Sequence, residues 1–286
     1  MNTKLTCVFA GCAFVVVAAL FLSIATLDVQ ANVSEKEWVF AAGHPSLQKF
    51  SLPDVPYPQD NAPNAARVEL GKKLFFDTRV SGDGNMSCAT CHNPLYGWSD
   101  GLPTARGFKS KILDRATPTI VNTAYNNLQM WDGRKKSLED QATGPMEAKN
   151  EMHTDIPKLI KFLKNNAAYR ADFKKAYPNE AIDANSISKA IASFERTVVS
   201  KESAFDRWIK GEESAMSDKQ IEGFKLFVAA NKGNCVVCHE GPNFTNSSFH
   251  NIGLKSYGKK APDLGRFNQR PVSLMKPSSS ISAMSP

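Results

Sequence analysis

Two stretches constrain this chain more than any others: Ser87-Cys88-Ala89-Thr90-Cys91-His92 and Asn234-Cys235-Val236-Val237-Cys238-His239. Each is a Cys-x-x-Cys-His run, the spacing that attaches a c-type haem. Two thiols one helical turn apart can each add across a vinyl group of one porphyrin, and the imidazole that follows then lies under the iron as its proximal ligand. Cysteine and histidine are scarce here, six and five in 286 residues. A chance match is expected in roughly one chain in five hundred of this composition, and two chance matches are negligible. A Cys-x-x-Cys pair also serves as a redox disulfide, and two pairs can hold a structural zinc. Neither alternative requires a histidine directly after each pair. The motifs read as a di-haem c-type cytochrome.

The compartment agrees with that chemistry. A lone Lys4 precedes a nearly unbroken apolar run from Leu5 to Leu27, and Val29-Gln30-Ala31 fits a small-residue cleavage site before Asn32. Residues 1–31 read as an export signal, with an uncleaved anchor as the alternative. Its removal takes Cys7 and Cys12 with it, so every remaining cysteine belongs to a haem motif and no disulfide framework is left. Attachment of c-type haem outside the bacterial cytoplasm points to the periplasm. The formal net charge of +7 is scattered rather than clustered, which argues against nucleic-acid binding.

The mature chain is organised as a repeat. Residues 32–64 are rich in Pro, Asp and Asn and read as an extended arm. From Ala65 an apolar helical stripe (Val68, Leu70, Leu74, Phe75) runs to Asp77-Thr78, a polar turn follows, and the first motif comes next. The order recurs where Ser217-Asp218 caps a helix carrying Ile221, Phe224, Phe227 and Val228, before Asn231-Lys232-Gly233-Asn234 and the second motif. Gly71-Lys72-Lys73-Leu74-Phe75 aligns with Gly223-Phe224-Lys225-Leu226-Phe227. A mid-helix glycine costs roughly 1 kcal/mol against alanine, so a close helix contact is expected at each. Between the motifs, 156–164 and 186–210 read as helices. The fold class is mainly α, two cytochrome c-like helical modules: 32–210 with its arm, and 211–286. After Gly258 no convincing amphipathic helix is left to close the second module, which is expected to be incomplete.

The residues between the motifs carry a resemblance. Gly97-Trp98-Ser99-Asp100-Gly101, Arg115-Ala116-Thr117-Pro118-Thr119-Ile120-Val121-Asn122 and Trp131-Asp132-Gly133-Arg134 resemble the bacterial di-haem cytochrome c peroxidase family, which includes MauG. So do Ser137-Leu138-Glu139-Asp140-Gln141-Ala142, Glu151-Met152 and Asp263-Leu264-Gly265-Arg266. The resemblance implies that the haem on Cys88, Cys91 and His92 is the peroxidatic centre and the haem on Cys235, Cys238 and His239 the electron-receiving one. It implies Trp131 as the electron relay, Glu151 as the distal acid-base residue and Gln141 as its neighbour. The implied activity is reduction of hydrogen peroxide to water with electrons from a small cytochrome c or cupredoxin, with a homodimer allowed. A MauG-like oxidase of a partner-protein residue and a non-catalytic di-haem electron carrier are the alternatives.

Three departures from the family pattern stand out. No histidine occurs between His92 and His153, so the second histidine that closes the first haem in some members is missing and an open iron is expected. Ala116 replaces the asparagine that helps bind an inter-domain calcium in many members, which breaks the pattern for that calcium. The family's C-terminal motifs do not follow Phe267. Met275, the first of two methionines after His239, is then the candidate axial ligand to the second iron, and His250 reads as a pocket or propionate contact.

Overall fold

The computed structural model describes residues 38–252, 263–269 and 284–285. The export segment 1–31 and Met275 lie outside them. Eight α-helices occur among the described residues: α1 (Ala65–Phe76), α2 (Cys88–Cys91), α3 (Leu138–Glu147), α4 (Ile156–Asn165), α5 (Ala167–Ala176), α6 (Ala184–Glu195), α7 (Ala204–Ile209) and α8 (Asp218–Val228). The extended pairing there is one short antiparallel ladder, His250–Asn251 against Met284–Ser285, and three isolated antiparallel bridges, Asn93 with Ser99, Arg106 with Ile112 and Gln129 with Lys135. The mainly α expectation holds.

Local chemistry explains most helix starts. Asn64 Oδ1 accepts the Ala66 and Arg67 amides at 2.8 and 3.3 Å, which caps α1. Asp155 caps α4 through the Lys158 amide at 3.1 Å. Ser217 and Gln220 form a reciprocal capping box at the start of α8. Helix α3 was not legible from periodicity, because Gly144 and Pro145 fall inside it. Ser137 nevertheless caps it, accepting the Asp140 amide at 3.1 Å, and Glu139 and Asp140 suit the dipole of its first turn.

The helix expected over 186–210 is two helices, and this is a correction. Helix α6 stops at Glu195, α7 begins at Ala204, and the segment between them is held by the Asn122 loop. The Asn122 amide donates to the Val198 carbonyl at 2.9 Å, and Asn122 Oδ1 accepts the Ser200 amide at 2.9 Å. Ser203 and Asp206 then start α7 with a capping box. Tertiary hydrogen bonds and a new cap outweigh the apolar period that runs through the break.

Two apolar cores follow. The first joins α1, α3, α4, α5 and α6 through Leu70, Leu74, Phe75, Met146, Leu163, Tyr169, Ile187 and Ile191, among others. The second joins Trp38, Leu47 and Phe50 of the arm to Trp208 and Ile209 of α7 and Phe224 and Val228 of α8. Aromatic edges hold it together, with Phe50 and Phe224 centroids 5.4 Å apart. The two mid-helix glycines differ. Gly71 presses against α6, whereas a Cβ at Gly223 would meet nothing within 4 Å, so the contact expected at Gly223 is not made among the described residues.

Candidate active site

The first motif forms the floor of a cavity. Helix α2 is a single turn whose N-terminus is fixed by Thr90 Oγ1, which accepts the Ser87 amide at 2.9 Å. That turn puts Cys88 and Cys91 on one face, and the His92 amide closes it on the Cys88 carbonyl at 2.8 Å. Cys88, Cys91 and His92 line a cavity of about 650 Å³ together with Trp131, Gln141 and Glu151. A volume in the range of about 300–1,000 Å³ suits a cofactor-sized ligand.

The imidazole is oriented for an iron. His92 Nδ1 donates to the Trp98 carbonyl at 3.2 Å; a carbonyl only accepts, so the proton sits on Nδ1 and Nε2 keeps its lone pair. Burial holds His92 below its ordinary pKa, which keeps the ring neutral, the form that binds metal. Burial also pushes the Cys88 thiol up to about 12 and the Cys91 thiol up to about 11. Both sulfurs are therefore held in the protonated thiol form. Among the described residues no group of three or more His, Cys, Asp or Glu is arranged to hold a metal ion, so the zinc alternative finds no geometry there.

The second motif repeats the device. His239 Nδ1 donates to the Phe244 carbonyl at 3.1 Å, and the His239 amide closes on the Cys235 carbonyl at 2.9 Å. Trp98 and Phe244, the two acceptors, both have positive φ, 62° and 52°. That conformation is uncommon for bulky residues and stores strain in both loops. The surroundings differ. Cys235, Val237, His239 and Phe244 are exposed, so the described residues give this motif an open face rather than a cavity. His250 meets Asn246 at 3.1 Å through Nε2. In both places the donor set, two cysteines and one imidazole oriented through Nδ1, fits a covalently attached haem.

The loop that carries Trp131 is bonded to residues that follow the second motif. The Trp131 Nε1–H donates to the Ala116 carbonyl at 2.8 Å, and the next residue, buried Asp132, accepts from Arg115 at 3.0 Å and Arg134 at 2.9 Å. Arg115 also forks onto Asp263 at 2.6 and 2.8 Å. Arg266 donates to the Asp132 and Gly133 carbonyls at 3.1 and 2.8 Å. The tryptophan thus lines the first cavity while its own loop is clasped by residues that follow the second motif. Such forked arginine-carboxylate pairs fix geometry as well as charge.

Glu151 follows α3 and faces the same cavity, half-buried. Burial raises its pKa, and the Arg134 charge works against that rise. Gln141 lines the cavity too, with Nε2 3.8 Å from the Met130 sulfur. His153 does not line it; its ring stacks on Phe108 with centroids 4.6 Å apart, and His92 is the one histidine among the lining residues. Among the lining residues that the sequence did not single out is Glu195, the last residue of α6. The signal was there, since a glutamate four residues after Ile191 interrupts an apolar stripe.

A fold of helices around two haem-type motifs, with a lined cavity at the first, defines a di-haem cytochrome of enzymatic design. The description "Di-haem cytochrome c peroxidase" matches residues 65–214. The methylamine utilization protein MauG of Methylophilus methylotrophus is 42 % identical over 260 residues, covering 90 % of this chain and 74 % of that protein. The cytochrome c551 peroxidase of Nitrosomonas europaea is 39 % identical over 207 residues, covering 72 % of this chain and 61 % of that one. A crystal structure of a MauG-like protein associated with microbial copper homeostasis superposes with a TM-score of 0.68 at 28 % identity, covering 76 % of this chain and 68 % of that chain. The chain belongs to the di-haem cytochrome c peroxidase family, a family of oxidoreductases, and that membership implies two c-type haems.

Proposed function

We propose that this protein is a periplasmic peroxidase that reduces hydrogen peroxide to water with electrons from a small redox protein. The observation that carries the reading is the convergence of Cys88, Cys91, His92, Trp131 and Glu151 on one cavity. A haem held by Cys88, Cys91 and His92 would supply the iron at which peroxide binds and an electron for its reduction. A second set, Cys235, Cys238 and His239, would hold the electron-receiving haem.

The chain's own residues supply proton control. Peroxide must lose a proton from its near oxygen and gain one on its far oxygen before the O–O bond parts, and two protons and two electrons complete two waters. Glu151 suits the shuttle because burial raises its pKa toward working pH. Gln141 offers an amide on the same cavity to orient the substrate. Trp131 offers an aromatic path, since the loop that carries it is bonded to Asn243 and Arg266, which follow the second motif.

Glu151→Gln tests the reading. The variant should keep two haems by pyridine haemochrome while peroxide turnover falls about 10²- to 10⁴-fold, the usual worth of general acid-base catalysis. Unchanged turnover, or a protein carrying no covalent haem, would defeat it. A second reading, oxidation of a residue on a partner protein, is favoured by the 42 % identity to MauG. A covalently altered partner accumulating with peroxide, without any added small donor, would select it.

A further inference from the structure

Glu195 is the buried acid that proton transfer from peroxide does not use. Its side chain and that of Ile191, one turn earlier on α6, both line the first cavity. It is 5 % exposed, and its Oε2 is buried with no hydrogen-bond partner. A carboxylate so placed is costly unless it pairs or takes a proton.

The surrounding charges do not neutralise it. Arg196, the next residue, gives its guanidinium to Glu139 of α3 at 2.6 and 3.1 Å, so its charge is already shared. Glu139 itself repels a second carboxylate. On α1, Arg67 turns to the Ala62 and Ala176 carbonyls and Lys73 to Asp172. From α2 the facing group is the Cys88 thiol, which senses the Glu195 charge. Burial pushes the carboxyl up to about 8, opposed by Arg196 and reinforced by Glu139. A structural role alone would be served as well by an apolar residue of similar volume.

We propose that Glu195 is a proton acceptor coupled to the first haem, taking up one proton when the iron in that cavity takes up one electron. The inference rests on the reading that Cys88, Cys91 and His92 hold a haem. The balance is simple. One electron from the donor converts ferric to ferrous iron, one solvent proton converts the Glu195 carboxylate to the acid, and the net charge of the cavity stays constant. Glu195 thereby sets how readily electrons enter the cavity as pH changes, while Glu151 handles the peroxide.

The test is spectroelectrochemical titration of the first haem in the full, haem-loaded protein across pH values on both sides of about 8, since the carboxylate that takes up the proton is present only toward and above that value. One proton per electron makes the reduction equilibrium change tenfold per pH unit, about 59 mV for a one-electron couple. Glu195→Gln should flatten that slope with haem content unchanged, and Glu195→Asp should restore part of it. Infrared difference spectra on reduction should show a carboxylic acid carbonyl band that shifts with isotopically labelled glutamate and is lost in Glu195→Gln. The labelled spectrum needs no variant, so it decides the matter even if the glutamine protein does not fold. Full haem content with an unchanged slope in Glu195→Gln, or a band that ignores the label, overturns this inference alone. Absence of haem from Cys88 and Cys91 by peptide mass overturns the functional reading beneath it as well.

Discussion

A Cβ at Gly71 would lie 1.8 Å from the Ala190 carbonyl oxygen and 3.0 Å from Phe194 Cβ. Helices α1 and α6 therefore meet backbone to backbone, and the contact is steadied by Asn61, whose Nδ2 donates to the Lys189 carbonyl at 2.9 Å. This crossing sets the wall that carries Ile191 and Glu195, so the shape of the cavity depends on a residue with no side chain.

The two aligned glycines should respond with opposite sign to the same substitution. Gly71→Ala gains helix propensity but forces two backbones apart, and overpacking of this kind costs about 1–3 kcal/mol. At Gly223 nothing lies within 4 Å of the added methyl, so Gly223→Ala should stabilise by up to about 1 kcal/mol. Denaturant melts of both variants measure this. A stabilising Gly71→Ala would refute the close packing.

Asp77 should make the protein sensitive to acid. Its carboxylate, near the end of α1, accepts from Tyr169 Oη and from Arg79 Nη2, each at 2.6 Å. Burial works against the charge, but the bonds from Arg79 and Tyr169 win and hold the pKa down at about 2, against an ordinary 3.8. A depressed carboxyl contributes stability that is fully present above about pH 4 and is lost as pH falls toward 2. Arg79 is half exposed, which screens part of the gain. Asp77→Asn should therefore cost about 1–2 kcal/mol at neutral pH, and the deficit should shrink below pH 4. A deficit that stays constant from neutral pH to pH 3 would contradict the assignment.

Trp131→Phe should separate the relay from the chemistry. Phenylalanine keeps an aromatic ring in the cavity wall but loses the pyrrole ring with its N–H donor to the Ala116 carbonyl, so stability should drop by about 1–2 kcal/mol. In stopped-flow spectra after one equivalent of peroxide, the first haem should oxidise at the unmodified rate while the second lags. Equal rates at both haems in the variant would remove Trp131 from the electron path.

Much of this protein is local, and local features are legible in a sequence. The two Cys-x-x-Cys-His runs, the Asn64 and Ser217 caps and the α1 stripe depend on residues within a turn or two of one another. Their chemistry is complete in a short window, and helix starts at Ala65, Ile156 and Asp218 follow from it. The family motifs around Trp131 and Glu151 were legible for the same reason, as short strings.

What the tertiary structure decided is where distant pieces meet. The arm residues Trp38, Leu47 and Phe50 pack on α7 and α8, a partnership that no local period encodes. The break after Glu195 depends on Asn122, some 75 residues away in sequence, supplying hydrogen bonds that a continuous helix would have supplied itself. In the sequence Glu195 is one charge among the apolar residues of α6, and only the crossing of α6 over α1 and α3 turns it into the cavity. The sequence by itself determined the haem-binding chemistry, because covalent attachment is written in adjacent residues. The electrostatic environment of that chemistry came from the packing, because burial and charge neighbours are properties of three-dimensional proximity.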